Sequence, residues 1–264
     1  MKKFSSFFFF MIAAWTVSSV HAQNYEALNH YMAKYGQGWS TSYNEQTGNG
    51  EWTKEEQVGH ILPEFRLNKQ LNSRSLRGRF VVLNFWATWC GGCRLLSCDI
   101  DSLMKLRPTA WEGVQVIGVD AHETLVDKGY KAEEWWKSKG IGFPTVGGKL
   151  ADACADVSHG HHPTVLVVDG HGIVRGRWDG WNPTTALNIE LALWALKTVP
   201  EQNIRADRPT VETLMQQKEY RKALYLMEMI PDAPDNSALR YECMLRSGEE
   251  RYAAEYFETL RAKY

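Results

Sequence analysis

Phe80-Val-Val-Leu-Asn-Phe-Trp86-Ala-Thr-Trp-Cys90-Gly-Gly-Cys93 is the stretch that decides the fold. Its first seven residues are a short β-branched and aromatic run, the pattern of a buried strand. From Cys93 to Arg107, Leu95, Leu96, Ile100, Leu103 and Leu106 are spaced for one helical face, and Pro108 closes the run. A strand therefore hands the chain through a loop to a helix, with two cysteines at the junction. Cys90 falls just ahead of the helix or within its first turn, where unpaired backbone N–H groups and the positive end of the dipole stabilise an anion. A thiolate is the nucleophile in disulfide exchange, so a lowered thiol pKa raises the reactive fraction near neutral pH. Cys93 is more sheltered but close enough to attack a mixed disulfide. The spacing assigns attack to Cys90 and resolution to Cys93.

Downstream, Val114–Val119 reads as a second strand and residues 132–139 as a helix ending at Gly140. Pro163–Asp169 and Ile173–Trp178 flank the tetrapeptide Asp169-Gly-His-Gly172, which predicts a β-hairpin. Pro183 opens a helix to about Val199. The order implies an α/β domain over 58–199, a mixed β-sheet flanked by helices on both faces. After Pro200 the pattern is helical and charged. Thr210 is expected to cap a helix holding Leu214, Tyr220, Leu224, Met227 and Ile230; Pro231 and Pro234 break it, Asn236 caps the next, and Gly248 separates a third. Glu219-Tyr-Arg-Lys-Ala223 resembles tetratricopeptide-type helical hairpins. A solenoid needs about three repeats, and residues 200–264 hold no more than two. This segment is expected to be a small all-α appendage that buries an apolar face.

Upstream, Lys2 and Lys3 precede the apolar run Phe7–Trp15, and Val20-His21-Ala22 ends in a small residue. That order predicts a secretory signal peptide over 1–22, cleaved before Gln23. The run is about half the ~20 residues needed to span a bilayer, and Ala22 is not followed by a cysteine for a lipid anchor. The mature chain is expected to be periplasmic or otherwise secreted and not membrane-spanning. Residues 23–57, rich in turn formers, read as a short helix and a loose approach segment. The chain has 30 Lys and Arg against 31 Asp and Glu. Loss of Lys2 and Lys3 leaves a slight acidic excess, which does not point to nucleic acid or an anionic membrane. The 11 tryptophans are scattered and suit core and rim packing.

A lone CxxC also serves zinc sites, but structural zinc normally takes two further ligands, often a second CxxC, which this chain lacks. The surrounding residues sharpen the signal. Val58-Gly-His-Ile-Leu-Pro-Glu-Phe65, Leu76-Arg-Gly-Arg-Phe80 running on to Cys90, and His162-Pro-Thr-Val-Leu-Val-Val-Asp-Gly-His-Gly172 resemble the thioredoxin superfamily, more closely its exported TlpA/ResA-like branch. The resemblance covers about Val58 to Val199. It implies a thioredoxin-like fold and a thiol–disulfide oxidoreductase needing no cofactor beyond a redox-active Cys90–Cys93 disulfide, with no metal. It implies partners too: client proteins with disulfides, cytochrome maturation among the settings, and an upstream dithiol/disulfide protein. It further implies that Pro163 is cis, with His162 beside the sulfurs. Trp89, Gly91, Gly92, His162 and Pro163 would form the substrate-binding loops; Pro144, in Phe143-Pro-Thr145, lies too early for that role.

Three departures stand out. Gly91-Gly92 replaces the proline or histidine usual between the cysteines. Asn84 stands where cytosolic thioredoxins carry a buried aspartate, and Leu96 where ResA-like proteins often place a glutamate. Water or His162 could then take the resolving thiol's proton. Cys98 and Cys154 could pair, although a buried Cys98 fits the helix better; Cys243 reads as a packed free thiol. The main alternative is copper or zinc handling by Cys90, Cys93 and the cluster His159, His161 and His162. A peroxidase and a non-catalytic docking module are weaker readings.

Overall fold

In a computed structural model of the chain, the described residues are 27–28, 30–36, 57–121, 123, 132–202 and 206–263, without the side chains of 198–202. The expected signal peptide and most of the approach segment lie outside them. Contacts divide the chain into two units, one of residues 36–193, the other of residues up to 35 together with 194–264.

The first unit is built on a five-stranded sheet of order β3-β2-β1-β4-β5. Its strands are β1 (Phe80–Trp86), β2 (Val114–Asp120), β3 (Thr145–Val146), β4 (Thr164–Val168) and β5 (Val174–Asp179). β1 runs parallel to β2, and β2 to β3, whereas β4 is antiparallel to both β1 and β5. The helices of this unit are α1 (Gly91–Leu106), α2 (Ala132–Ser138) and the single turn α3 (Lys149–Asp152), with α4 (Thr185–Gln202) belonging to it up to Leu193. The mixed sheet with its helices is the expected architecture. β1 is central, and six of its seven residues are buried. That is why its sequence is an apolar run, broken only at Asn84, rather than an alternation.

Two elements carried no usable sequence signal. β3 is two residues long, and α3 is one turn. β3 sits where it does because β2 has a glycine opposite it. A Cβ on Gly118 would stand 2.9 Å from both Thr145 Oγ1 and the Trp136 ring. The space is taken by an aromatic cluster, Trp86 on Trp136 (4.6 Å) and Trp136 on Phe143 (5.0 Å), with the Trp86 indole N–H donating to Thr145 Oγ1 at 2.8 Å. α1 departs from expectation on its buried face. Leu95 and Leu106 are exposed, and Cys93, Leu96, Ser97, Ile100 and Asp101 face inward.

The second unit is helical: α5 (Arg208–Gln216), α6 (Tyr220–Met229), α7 (Pro234–Arg246) and α8 (Glu250–Lys263), joined by α4 from Trp194 onward and by helical residues 27–28 and 30–35. The single helix expected over Leu214 to Ile230 is two, separated by a turn with Lys218 at φ +61°. Thr210 does not cap it. Asp207 is the N-cap, and its carboxylate accepts from Thr210 N (3.0 Å) and Thr210 Oγ1 (2.7 Å), so Thr210 is the capped N3 residue. Nor does Asn236 cap α7, because Pro234 already occupies the first helical position, where its missing N–H costs nothing. Gly248 (φ +85°) separates α7 from α8 as expected. Two helical hairpins result. Tyr31, Tyr35 and Trp194 pack with Tyr225 and Tyr252. Tyr35, Lys34 and Arg240 all hydrogen-bond the buried Glu228. The short N-terminal helix is thus a structural part of the helical unit.

Candidate active site

β1 ends at Trp86, and α1 begins five residues later. Between them Cys90 is the N-cap of α1, in extended backbone (φ −87°, ψ 109°), and its sulfur accepts from Cys93 N–H at 3.2 Å. An N-cap acceptor normally is an oxygen; here sulfur takes the place, pointed at the orphan N–H groups that favour an anion. No acidic side chain lies in the first turn to oppose them. Cys90 and Cys93 are joined in a disulfide, with Cα atoms 5.2 Å apart. Cys90 is half-buried and Cys93 fully buried. Cys98, Cys154 and Cys243 are free thiols, so Cys98 and Cys154 are not paired. Burial raises the pKa of all three, Cys243 to about 12.

The His162–Pro163 peptide bond is cis. A Cβ on Gly92 would stand 3.7 Å from Pro163 Cδ, which puts the proline ring against the cysteine loop. His162 contacts Trp89, ring centroids 5.7 Å apart. Cys90, Cys93, Gly92, Pro163, His162 and Trp89 therefore come together. Gly91 sits exposed at the first position of α1. Beneath the first turn, Asn84 Nδ2 donates to Ser97 Oγ (2.8 Å), which donates to the Cys93 carbonyl (2.9 Å). Asn84 and Leu96 are both fully buried and neither ionises. Among the described residues no group of three or more His, Cys, Asp or Glu side chains could hold a metal ion. The copper or zinc alternative, with His159, His161 and His162 joining the cysteines, thus lacks its ligand set. Nor is any helix among those residues long and apolar enough to cross a membrane.

Three supports of this site escaped the sequence reading. The fully buried Arg177 of β5 donates to Asp179 (2.9 Å), to the Ser158 carbonyl (2.8 Å) and to Gln57 Oε1. Asp179 accepts from Thr164 Oγ1 at 2.7 Å, and that hydroxyl also reaches the His161 carbonyl at 3.1 Å. This network brackets the loop from Ser158 to Thr164 that contains the cis proline. A second support is Glu123, whose carboxylate accepts from Thr88 N and from Thr88 Oγ1 (2.9 Å), two residues before Cys90. Beside it Asp120, almost wholly buried, has its pKa pushed up to about 8 by burial first, then by Glu123 and Asp152. The third is Trp181, after β5. Nothing in the local sequence marks Arg177, Asp179 or Glu123 as members of a buried network. Only the Gly180-Trp-Asn-Pro183 turn, an aromatic in a loop following a strand, offered a visible signal.

Comparison with known proteins bears directly on this geometry. The model of the AhpC/TSA family matches residues 58–177. The thiol-disulfide oxidoreductase ResA of Bacillus cereus is 30% identical over 123 residues, 45% of this chain and 67% of that protein. The chain belongs to the thioredoxin superfamily. Within that superfamily it is also similar to the thiol:disulfide interchange protein DsbE of Haemophilus influenzae, 31% identical over 133 residues, 47% of this chain and 66% of the other. A solved Chlorobium tepidum structure described as a putative DsbE aligns with a TM-score of 0.42 at 22% identity, over 52% of this chain and 97% of its own. In a thioredoxin-superfamily domain, the bonded Cys90–Cys93 pair at the head of α1 supports a redox-active oxidoreductase role.

Proposed function

We propose that the chain is an exported thiol–disulfide oxidoreductase of the ResA/TlpA-like branch that reduces disulfides of client proteins. The observation that carries this reading is the asymmetry of the pair: Cys90 half-exposed at the helix N-cap with its sulfur facing an N–H, and Cys93 fully buried behind it. In the reduced protein the Cys90 thiolate attacks one sulfur of a client disulfide. That S–S bond breaks, and the departing client sulfur leaves as a thiolate that takes a proton. Cys93, losing its own proton, then attacks Cys90 in the mixed disulfide, and the second client thiol departs. The client gains two electrons and two protons while Cys90–Cys93 closes, to be reopened by an upstream dithiol protein.

The cis-proline loop suits this task because an extended client segment can lie along it as an added strand. Residues 1–22, read as a signal peptide, support a periplasmic or secreted site of action. Dithiothreitol-driven insulin reduction tests the reading. Wild-type protein accelerates it, and Cys90→Ser and Cys93→Ala each abolish the acceleration. With a chromogenic aryl disulfide, Cys93→Ala retains the aryl thiol on Cys90 as a stable adduct, whereas Cys90→Ser retains none. Full activity in either variant would overturn the assignment. A potential below that of glutathione, measured by equilibration with dithiothreitol, would favour reduction as the direction.

A further inference from the structure

Trp181 follows β5 and the turn residue Gly180, whose N–H donates to the Pro163 carbonyl at 2.8 Å. The cis-proline loop and the tryptophan are therefore tied by backbone. Trp181 is 36% exposed, but its indole N–H donates to Asp99 Oδ2 at 2.8 Å. At its other end, Trp181 Cβ lies 3.3 Å from where a Cβ on Gly92 would be. Gly92, Leu95, Leu96 and Asp99 fall at i, i+3, i+4 and i+7 of α1, one stripe of the helix. The Asp99 side chain leans back toward the helix start. The indole thus reaches from Gly92 to Asp99 along that stripe, which also carries Leu95, 49% exposed. A large, part-exposed apolar group is thus held at both ends by the scaffold, on the helix stripe that carries an exposed leucine.

Whatever exchanges with Cys90 must bring its own sulfur to bonding distance. Its neighbouring residues, at about 3.3 Å per extended residue, then fall on the surface around Cys90. Gly92 is two peptide units from Cys90, at most ~7.6 Å, and Trp181 begins at Gly92. We infer that Trp181, with Leu95, is a specificity-determining surface that receives a bulky apolar side chain within two residues of the client's cysteine. The inference rests on the disulfide-exchange reading above. It also accounts for Gly92: any side chain there would press on the Trp181 stem that carries the indole across the helix.

The test uses the reduced full-length protein and symmetric disulfides of unstructured pentapeptides, Ala-Xaa-Cys-Xaa-Ala with Xaa leucine, phenylalanine or serine. Rates of peptide thiol release are followed by chromatography. The wild type is expected to prefer the leucine and phenylalanine peptides by about tenfold in kcat/KM, the scale of one partly buried apolar side chain, mostly through KM. Trp181→Ala is expected to bring the ratio below about threefold, with Trp181→Phe keeping most of it. Asp99→Ala, which frees the indole, should fall between. Equal slowing of all three peptides by Trp181→Ala would overturn the inference, as would a wild type that does not discriminate. A wild type that reduces none of the peptides, nor insulin, would instead fail the parent reading.

Discussion

The Asp120→Asn substitution should change how stability depends on pH. Asp120 ends β2, is 4% exposed, and faces Glu123 and Asp152, two further carboxyl groups. Burial, then the neighbouring Glu123, pushes its pKa from 3.8 to about 8. The proton it keeps lets it share a hydrogen bond with Glu123, which in turn holds the Thr88 backbone ahead of Cys90. Because the folded pKa lies above the unfolded one, the group's contribution is fully present below about pH 4. It is lost as pH rises, because the unfolded chain releases the proton and the folded chain does not, and the loss levels off above about pH 8. Each unit of that window is 1.36 kcal/mol, so between pH 4.5 and 7.5 the wild type should lose up to about 4 kcal/mol relative to a group that does not titrate. Asparagine keeps the shape and a donor and cannot ionise. Urea unfolding of the oxidised protein, followed by tryptophan fluorescence at both pH values, gives the difference between variant and wild type, in which other titrating groups cancel. Asp120→Asn should gain on the wild type by at least about 2 kcal/mol across the interval. A gap that changes by less than about 0.5 kcal/mol would refute the buried, protonated assignment.

Arg177→Met removes the buried cation from Asp179, Gln57 and the Ser158 carbonyl and should cost about 3–5 kcal/mol, read as a lower urea midpoint; an unchanged midpoint would show that the bracket around the cis-proline loop carries no energy. Gly118→Ala drives a methyl to 2.9 Å from Thr145 and Trp136 and should cost about 1–3 kcal/mol by overpacking, with a shift in the emission of the Trp86–Trp136 cluster. Asp207→Ala unbinds the Thr210 N–H and should lower the stability of the helical unit by about 1 kcal/mol, seen as faster amide exchange in α5. Gly92→Pro should be destabilising in the wild type and closer to neutral in Trp181→Gly, since the atom its Cβ meets is Trp181 Cβ; additive costs in the double variant would disprove the coupling.

The parts of the fold legible in the sequence are those where one residue pattern answers to one local cause. β1 reads as a strand because both faces are buried, so every position but Asn84 carries an apolar residue. The hairpin reads from Asp169-Gly-His-Gly172 because that turn makes its own bonds, Asp169 Oδ1 accepting from His171 N and Ile173 N. The cysteine pair reads because its chemistry depends on a helix start, which is itself local. What stayed hidden depends on residues distant in the chain. β3 exists through a space left at Gly118, 27 residues before it. Arg177 is buried because Gln57, 120 residues away, completes its hydrogen bonds. The N-terminal helix reads as an isolated segment, since its partners Tyr225 and Glu228 lie almost 200 residues on.

Gly91-Gly92 shows how the two kinds of information join at the site. As sequence it registers as a loss, since glycine costs about 1 kcal/mol against alanine at a helical position and replaces the residues that relatives use between their cysteines. In three dimensions the two glycines separate. A Cβ on Gly91 meets nothing within 4 Å, whereas one on Gly92 meets Trp181 and Pro163. The second glycine is therefore the counterpart of a tryptophan 89 positions later, and neither residue is intelligible without the other. If that pairing is what shapes the surface beside Cys90, client recognition rests on a side chain carried by the turn after β5 and lying along α1 from Gly92 to Asp99. The chemistry of the pair, set by the N-cap and the buried Cys93, can stay that of its superfamily while the choice of client changes.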